Sequence, residues 1–170
     1  MADSPLPIRV AQTLGLTTSL LLGGANLALS VHLVPRLLES PTPLLVRQWH
    51  AAYLLGKRTF PPLALLSSLS YFYLAYKGDA LEGNRMGYLI AGLLTVGIVP
   101  YTALVMRGTN NKLIERRNEV GALGNQDTVV EVGLGNESAH ALVDWWGVLN
   151  LGRGAMLSIA GIVGVWTALK

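Results

Sequence analysis

An arginine stands inside the last apolar block of the chain, which runs from Trp145 to Leu169. Asn150 precedes Arg153 by three residues and Trp146 precedes it by seven, so the three side chains share one stripe of a helix. Polar groups inside an apolar helix are costly and tend to mark function. Because helical side chains lean towards the helix N-terminus, we expect Arg153 to reach a pocket near one end of the helix. Snorkelling to lipid phosphates and an interhelical ion pair are the structural alternatives.

Polar and aromatic residues occur at the matching level of three other helical segments. The second segment has a stripe of aromatic and small residues with two basic side chains beside it, and the first and third end in amides, hydroxyls and a histidine. These residues are Trp49, Tyr53, Gly56 and Phe60 with His50 and Lys57, then Thr102, Met106, Thr109, Asn110 and Leu113, and finally Asn26, Ser30 and His32. Antiparallel packing predicts an aromatic-walled cavity with a polar floor, although such stripes more often form a core.

Several other kinds of site are missing from the sequence. There is no cysteine, which excludes disulfide scaffolds and thiol nucleophiles. His32, His50 and His140 do not have a metal-ligand spacing, and we predict no metal site. No phosphate-binding loop or hydrolase Ser motif is present. The 13 Lys and Arg residues are scattered without a basic block, which argues against nucleic-acid binding.

The elements that must position these residues are four long apolar segments. Val10–Pro35, Thr59–Tyr76 and Met86–Met106 contain no charged residue, and the block after Trp145 contains only Arg153. A helix of about 20 apolar residues spans a bilayer. Charged residues make up 14% of the chain, and mean hydropathy is +0.44. We therefore predict an all-α fold, an integral membrane four-helix bundle forming a single domain over residues 1–170.

The predicted helices cover residues 8–35, 44–76, 86–118 and 137–169, with Asn136 as the N-cap of the last and Glu137 in its first turn. A tight turn is expected over residues 77–84, and a glycine-rich loop over 121–135. Helices two to four then extend past the bilayer on one side. That side has twice as many basic residues, so the loops after helices 1 and 3 are predicted to be cytosolic.

The order and spacing of four short motifs resemble the anthrone oxygenase family of small four-span membrane proteins. The motifs run from Gly23-Gly24-Ala25-Asn26-Leu27 to Trp49-x3-Tyr53-x2-Gly56 with Pro61-Pro62, then Pro100-Tyr101-Thr102 with Met106 and Thr109-Asn110-x2-Leu113, and finally Trp146-x3-Asn150-x2-Arg153. The likeness covers about Leu14 to Val165. It implies a membrane-bound oxygenase that converts an anthrone, a tricyclic aromatic polyketide, to its anthraquinone with molecular oxygen in secondary metabolism.

The resemblance also suggests roles for individual residues. Arg153, with Asn150 and Asn110 as donors, would stabilise enolate or superoxide charge. His50 would be the general base, with Tyr53, His32 or spontaneous enolisation as alternatives. The substrate-binding residues would be Trp49, Tyr53, Thr102, Met106, Asn110 and Trp146. Molecular oxygen is the co-substrate and no cofactor is expected.

The expected partners are the aromatic polyketide and the lipid bilayer, with a polyketide synthase or thioesterase of the same pathway. The expected location is the endoplasmic reticulum or vesicles derived from it. Two other functions fit the sequence. One is a non-catalytic four-span scaffold for pathway enzymes. The other is a quinone-binding redox partner with haem on His32 or His50.

Overall fold

The computed structural model describes residues 5–77, 85–122 and 138–170, and the regular structure in these ranges is helical. Four helices follow one another within these ranges: α1 (Leu6–Leu38), α2 (Thr42–Tyr76), α3 (Arg85–Ala122) and α4 (Ala139–Ala168). The predicted all-α fold is confirmed. The turn expected over residues 77–84 lies outside the described residues from residue 78 onwards. So does the loop expected over 121–135 from residue 123 onwards, while residues 121 and 122 are helical. The expected cap at Asn136 is wrong, because the last helix begins at Ala139 and its N-cap is Ser138.

Proline and serine residues account for where three of the helices begin. Pro7 and Pro43 lie in the first turns of α1 and α2, where a missing N–H removes no helical bond. These helices begin two residues before the predicted positions 8 and 44. The Ser138 hydroxyl caps α4 by accepting a hydrogen bond of 3.1 Å from the Ala141 N–H.

The four helices pack antiparallel to their neighbours along the chain, as contacts near one end of the bundle show. Thr167, near the end of α4, lies against Gly87, near the start of α3. The Gln12 side-chain amide of α1 donates to the Tyr88 hydroxyl of α3 at 3.0 Å. The hydroxyls of Ser19 and Tyr71 lie 2.8 Å apart and join α1 to α2. The Ser67 hydroxyl of α2 donates to the Gly15 carbonyl at 2.8 Å. The start of α1 and the end of α2 therefore lie together, with the start of α3 beside them.

Glycines allow α1 and α4 to pack with their backbones close together. A Cβ atom at Gly23 would lie 2.9 Å from the backbone nitrogen of Ser158, and one at Gly154 would lie 2.8 Å from a methyl group of Leu27. Close approach through small residues is the usual way in which helices associate in lipid. This packing holds α4, and with it Arg153, against α1.

Three of the described helices, α1, α3 and α4, are long and apolar enough to cross a membrane. The second predicted span, in α2, is long enough but less apolar than these three, because prolines, serines and tyrosines lie among its apolar residues. Nevertheless, α2 is continuous through Pro61 and Pro62 over 35 residues. It packs beside α1 and α3 along the depth of the bundle.

Two π-helical turns interrupt α1 and α3, and the sequence did not predict them. They cover Leu29–Leu33 in α1 and Thr102–Met106 in α3. Such single π turns are frequent at functional sites, and they change the direction in which the side chains of a helix point. Pro100 lies just before the second turn, where it removes a backbone donor from α3.

Candidate functional site

A cavity of about 210 Å³ lies between the four helices, at the level of the two π turns. All four helices contribute to its wall, which is mostly apolar. The lining residues are Leu29 of α1, then Ala52, Tyr53, Gly56, Lys57, Phe60 and Pro61 of α2, then Ile98, Val99, Thr102, Ala103 and Asn110 of α3, and Trp146 and Arg153 of α4.

The Arg153 guanidinium is held at this cavity by groups on three helices. Its Nε donates to the Asn150 Oδ1 at 3.0 Å, and its Nη2 donates to the same oxygen. Its Nη1 donates to the Thr102 hydroxyl at 3.5 Å. The Phe60 ring of α2 lies 5.9 Å from the guanidinium carbon, a cation–π distance. The side chain is therefore fixed at the cavity wall.

Asn150 connects Arg153 to α1. Its Nδ2 donates to the Asn26 carbonyl at 2.8 Å and to the Ser30 hydroxyl at 3.0 Å, and the side chain is fully enclosed. These bonds fix which end of the amide faces Arg153, since only the oxygen can accept from a guanidinium. Asn150 thus orients the cation without lining the cavity itself.

The two π turns supply hydrogen-bond acceptors for Asn150 and Arg153. Ser30 lies in the π turn of α1 and accepts from Asn150, and Thr102 lies in the π turn of α3 and accepts from Arg153. The Thr102 hydroxyl in turn donates to the Ile98 carbonyl at 2.7 Å. Both irregular turns therefore position hydroxyl groups around the amide and the guanidinium.

Stacked aromatic rings form another part of the wall. Tyr53 lines the cavity and stacks on Trp49, with ring centroids 5.2 Å apart and planes 16° apart. Trp49 meets the edge of Trp146 at 6.1 Å. The Trp146 indole N–H donates to the Asn110 Oδ1 at 3.1 Å. The Trp49 Nε1 is enclosed and has no hydrogen-bond partner within the described part of the chain.

The structure places the nine predicted site residues in three groups. Five line the cavity: Tyr53, Thr102, Asn110, Trp146 and Arg153. Trp49, Met106 and Asn150 are fully buried and do not line it. His50 is half-buried and also lies outside the lining, with its ring 6.5 Å from that of Tyr53.

Nine of the lining residues were not among the predicted site residues, and two of these, Phe60 and Lys57, lie close to Arg153 or carry charge at the cavity. They share the helical stripe of Tyr53 and Gly56, at steps of three and four residues, so the periodicity of α2 is the signal that could have found them.

The described histidines differ in their surroundings. His50 lies in the part of α2 that precedes its apolar block. Partial burial, with a smaller contribution from the Arg117 charge, lowers the pKa of His50 from its usual 6.5. This imidazole is therefore neutral at pH 7 and able to accept a proton. His32 is exposed and does not line the cavity, and the ring of His140 lies 3.1 Å from the Ser40 carbonyl.

The site has cationic side chains without carboxylates to balance them. Lys57 and Arg153 both line the cavity, and its described lining includes no Asp or Glu. Within residues 5–77, 85–122 and 138–170, ion pairs join Arg36 to Glu39 and Arg116 to Glu119, and neither reaches the cavity. No group of three His, Cys, Asp or Glu side chains in these ranges could hold a metal ion. The arrangement suits a flat aromatic ligand that carries negative charge.

Comparison with known proteins shows similarity over most of the chain. Residues 49–163 match a family model described as anthrone oxygenase. The chain is 33% identical to anthrone oxygenase AgnL2 of Paecilomyces divaricatus, over 91% of this chain and 92% of that protein. It is 32% identical to an anthrone oxygenase of Emericella nidulans, over 88% and 92%. It is 30% identical to a noranthrone monooxygenase of Aspergillus flavus, over 87% and 71%. No solved structure matches the chain.

Proposed function

Because the chain belongs to the anthrone oxygenase family and is thus an oxygenase of polyketide biosynthesis, we propose that it converts an anthrone-type tricyclic polyketide to its anthraquinone with molecular oxygen. The observation that carries the proposal is the Arg153 guanidinium, held by Asn150 and Thr102 at the wall of an aromatic-lined cavity. The names of the relatives from Emericella nidulans and Aspergillus flavus support it.

The substrate itself can supply the electrons for this reaction. An anthrone has a CH₂ group between two aryl rings, and loss of one proton gives an electron-rich anthranolate. This anion passes one electron to O₂, and the carbon radical and superoxide combine to a peroxide anion, which is then protonated. Loss of the second C–H proton breaks the O–O bond and leaves the quinone C=O. The sum is CH₂ plus O₂ to C=O plus H₂O, and we propose that no further cofactor takes part.

Arg153 is the residue that we propose stabilises the anionic steps. The bonds to Asn150 and Thr102 use one N–H on each of its three nitrogens. An arginine has five N–H donors, so one N–H on each terminal nitrogen is available to the anthranolate oxygen or to superoxide. Because Asn150 holds the guanidinium in place before the charge develops, little reorganisation is needed. The Trp146–Asn110 pair and Tyr53 would enclose the flat rings.

His50 is the proton acceptor in this proposal. Its lowered pKa leaves it neutral at pH 7, as a base must be. Its ring lies beside that of Tyr53, which does line the cavity. In this proposal Tyr53 is the group between His50 and the bound substrate.

We propose that all four helices span the bilayer. The three helices that are long and apolar enough to do so support this, and α2 packs beside two of them along the same depth. A hydrophobic tricycle partitions into lipid and can reach the cavity from there. An endoplasmic reticulum or vesicle membrane, with the loops after α1 and α3 in the cytosol, is part of the same proposal. So is a pathway polyketide synthase or thioesterase as partner.

The test is oxygen uptake by detergent-purified protein given emodin anthrone, with chelator-treated and protein-free controls. The protein-free control is needed because anthrones oxidise slowly by themselves. Uptake well above this blank, with quinone formation that survives chelation, is the expected result. Uptake that chelation abolishes would show that a metal takes part. Uptake equal to the blank with several anthrones would overturn the proposal in favour of a scaffold, and a haem absorption band would favour a redox partner.

A further inference from the structure

Lys57 is the second cationic side chain of the cavity, and the reaction proposed above gives it no role. It lies on α2 one turn before Pro61 and four residues after Tyr53, on the stripe that faces the cavity. Its side chain lines the cavity although the residue as a whole is exposed, so it stands at the mouth while Arg153 is more deeply buried. The two cations therefore border one ligand site.

Neither cation is balanced by an acidic side chain in the described ranges. Lys57 and Arg153 form no ion pair there, and no Asp or Glu lines the cavity. For the partly buried Arg153, an unpaired charge next to an apolar wall costs free energy, because the wall takes away part of its hydration. Lys57 is exposed, and its charge at the same cavity attracts a negative group. A ligand with two separated negative oxygens would offset that cost at Arg153 and would also pair with Lys57. A ligand with only one negative oxygen would leave Lys57 without an acidic partner among the described residues.

We propose that Lys57 selects substrates which carry an acidic oxygen at the ring edge away from the reacting carbon. Arg153 takes the charge that develops during the reaction, and Lys57 takes the charge that the substrate already has. The acidic oxygen can be a carboxylate or a phenolate, since a lysine ammonium donates to either as a compact charge. This inference rests on the proposed function for the identity of the ring system, and it names the substrate class within it.

The residue that follows Lys57 in the chain provides a matched control. Arg58 follows Lys57 directly, is exposed, carries the same charge and does not line the cavity. Its position on the helix is turned by about 100° from that of Lys57. A general effect of positive charge on ligand uptake would be lost equally in both variants. A direct contact would be lost only when Lys57 is replaced.

The experiment measures binding without turnover, by the quenching of tryptophan fluorescence in detergent-solubilised protein. The probes are anthraquinone-2-carboxylate, 2-hydroxyanthraquinone above the pH at which it ionises, and the neutral anthraquinone-2-carboxamide. We expect the wild-type protein to bind an ionised probe about 10-fold more tightly than the carboxamide, a typical effect of one charge-assisted hydrogen bond. The better of the two ionised probes identifies the acidic group.

Lys57→Met should abolish this preference while retaining affinity for the carboxamide, and Lys57→Arg should retain most of the preference. Arg58→Met should behave like the wild-type protein. Retained affinity for the carboxamide shows that Lys57→Met is folded. A preference that persists in Lys57→Met, or that falls equally in Arg58→Met, would overturn the inference.

Failure of the proposed function gives a different result. The binding preference and its dependence on Lys57 would then remain, while no anthrone gave oxygen uptake above the blank. Failure of the inference alone would leave oxygen uptake intact and remove the difference between Lys57→Met and the wild-type protein.

Discussion

Asn150 accepts two hydrogen bonds from Arg153 through one oxygen, while its amide nitrogen donates to the Asn26 carbonyl at 2.8 Å and to the Ser30 hydroxyl at 3.0 Å. The side chain thus uses both ends of its amide, one towards α1 and one towards the cation. An amide is the only neutral side-chain group that offers an acceptor and two donors at this length. The guanidinium keeps its full charge because its main partner is uncharged.

Asn150→Asp tests whether that charge matters. The carboxylate would still accept from Arg153, but it would neutralise the guanidinium and would turn an oxygen towards the Asn26 carbonyl. We expect kcat/KM for anthrone oxidation to fall about 100-fold, in the range seen when one stabilising donor is removed from a developing oxyanion. Ser30→Ala, which removes one acceptor of Asn150 and leaves the charge unchanged, should cost less than about fivefold. Equal losses in the two variants would contradict the electrostatic role.

Two replacements of Arg153 should separate the effect of its positive charge from the effect of its hydrogen-bond geometry. Arg153→Lys keeps the positive charge but replaces the five donors of a planar fork by three on one atom, so it cannot reproduce the bonds to Asn150 and Thr102 together with two free N–H groups. We expect oxygen uptake to fall at least about 10-fold in Arg153→Lys and to reach the blank in Arg153→Leu. Size-exclusion chromatography in detergent should show both variants monodisperse, since neither replacement is larger than arginine, and leucine also removes the cost of burying a charge. Full activity in Arg153→Leu would refute its role.

The pH dependence of the reaction tests His50. A base must be unprotonated, so kcat/KM should be constant near pH 7 and should fall as the pH drops through the His50 pKa. Burial and Arg117 lower that pKa below 6.5, so the acid limb should lie below pH 6.5. His50→Gln should abolish this limb and reduce the plateau about 100-fold, which is a common contribution of general-base catalysis.

Tyr53→Phe is the companion variant for the pH profile. It leaves His50 in place and removes only the hydroxyl group at the cavity wall. An acid limb that is unchanged in His50→Gln would show that His50 is not the base. If Tyr53→Phe alone then loses the plateau activity, Tyr53 takes the proton instead.

The sequence predicted the helices and the level of the site because both depend on local patterns. Blocks free of charged residues marked the helices, and the spacing of Trp146, Asn150 and Arg153 placed them on one face. Which side of an aromatic stripe faces a cavity depends on packing, so the full enclosure of Trp49 could not be predicted. The π turn at Thr102 was also missed, because a single extra residue in a helix leaves little trace in apolar periodicity.

The two buried tryptophans differ in one hydrogen bond, which gives a paired prediction. The Trp146 indole donates to Asn110, whereas the Trp49 indole has no acceptor among the described residues. Replacement of either by Phe removes similar volume, but only Trp146→Phe leaves a buried amide oxygen unpaired. We expect Trp146→Phe to lower the free energy of unfolding by about 1–2 kcal/mol more than Trp49→Phe. Denaturant titration in detergent measures this difference, and equal losses would show that the hydrogen bond contributes nothing.

Adjacent glycines in α1 provide the strictest test of the helix packing that holds the site. A Cβ atom at Gly23 would lie 2.6 Å from the Ser158 hydroxyl and 2.9 Å from the Ser158 backbone nitrogen, whereas one at Gly24 meets nothing within 4 Å. Gly23→Ala must therefore move α1 away from α4, because the backbone atom cannot turn aside, and we expect a loss of about 1–3 kcal/mol of stability. Gly24→Ala should leave stability equal or raise it by up to about 1 kcal/mol through helix propensity.

The displacement of α1 in Gly23→Ala should also change the positions of Asn150 and Arg153. Asn26 lies one turn further along α1 and accepts from Asn150, so a shift of α1 loosens the group that orients Arg153. Oxygen uptake per folded protein should then fall in Gly23→Ala and remain unchanged in Gly24→Ala, measured on samples matched by thermal-unfolding amplitude. A Gly23→Ala variant as stable and as active as Gly24→Ala would show that the α1–α4 contact does not position the site.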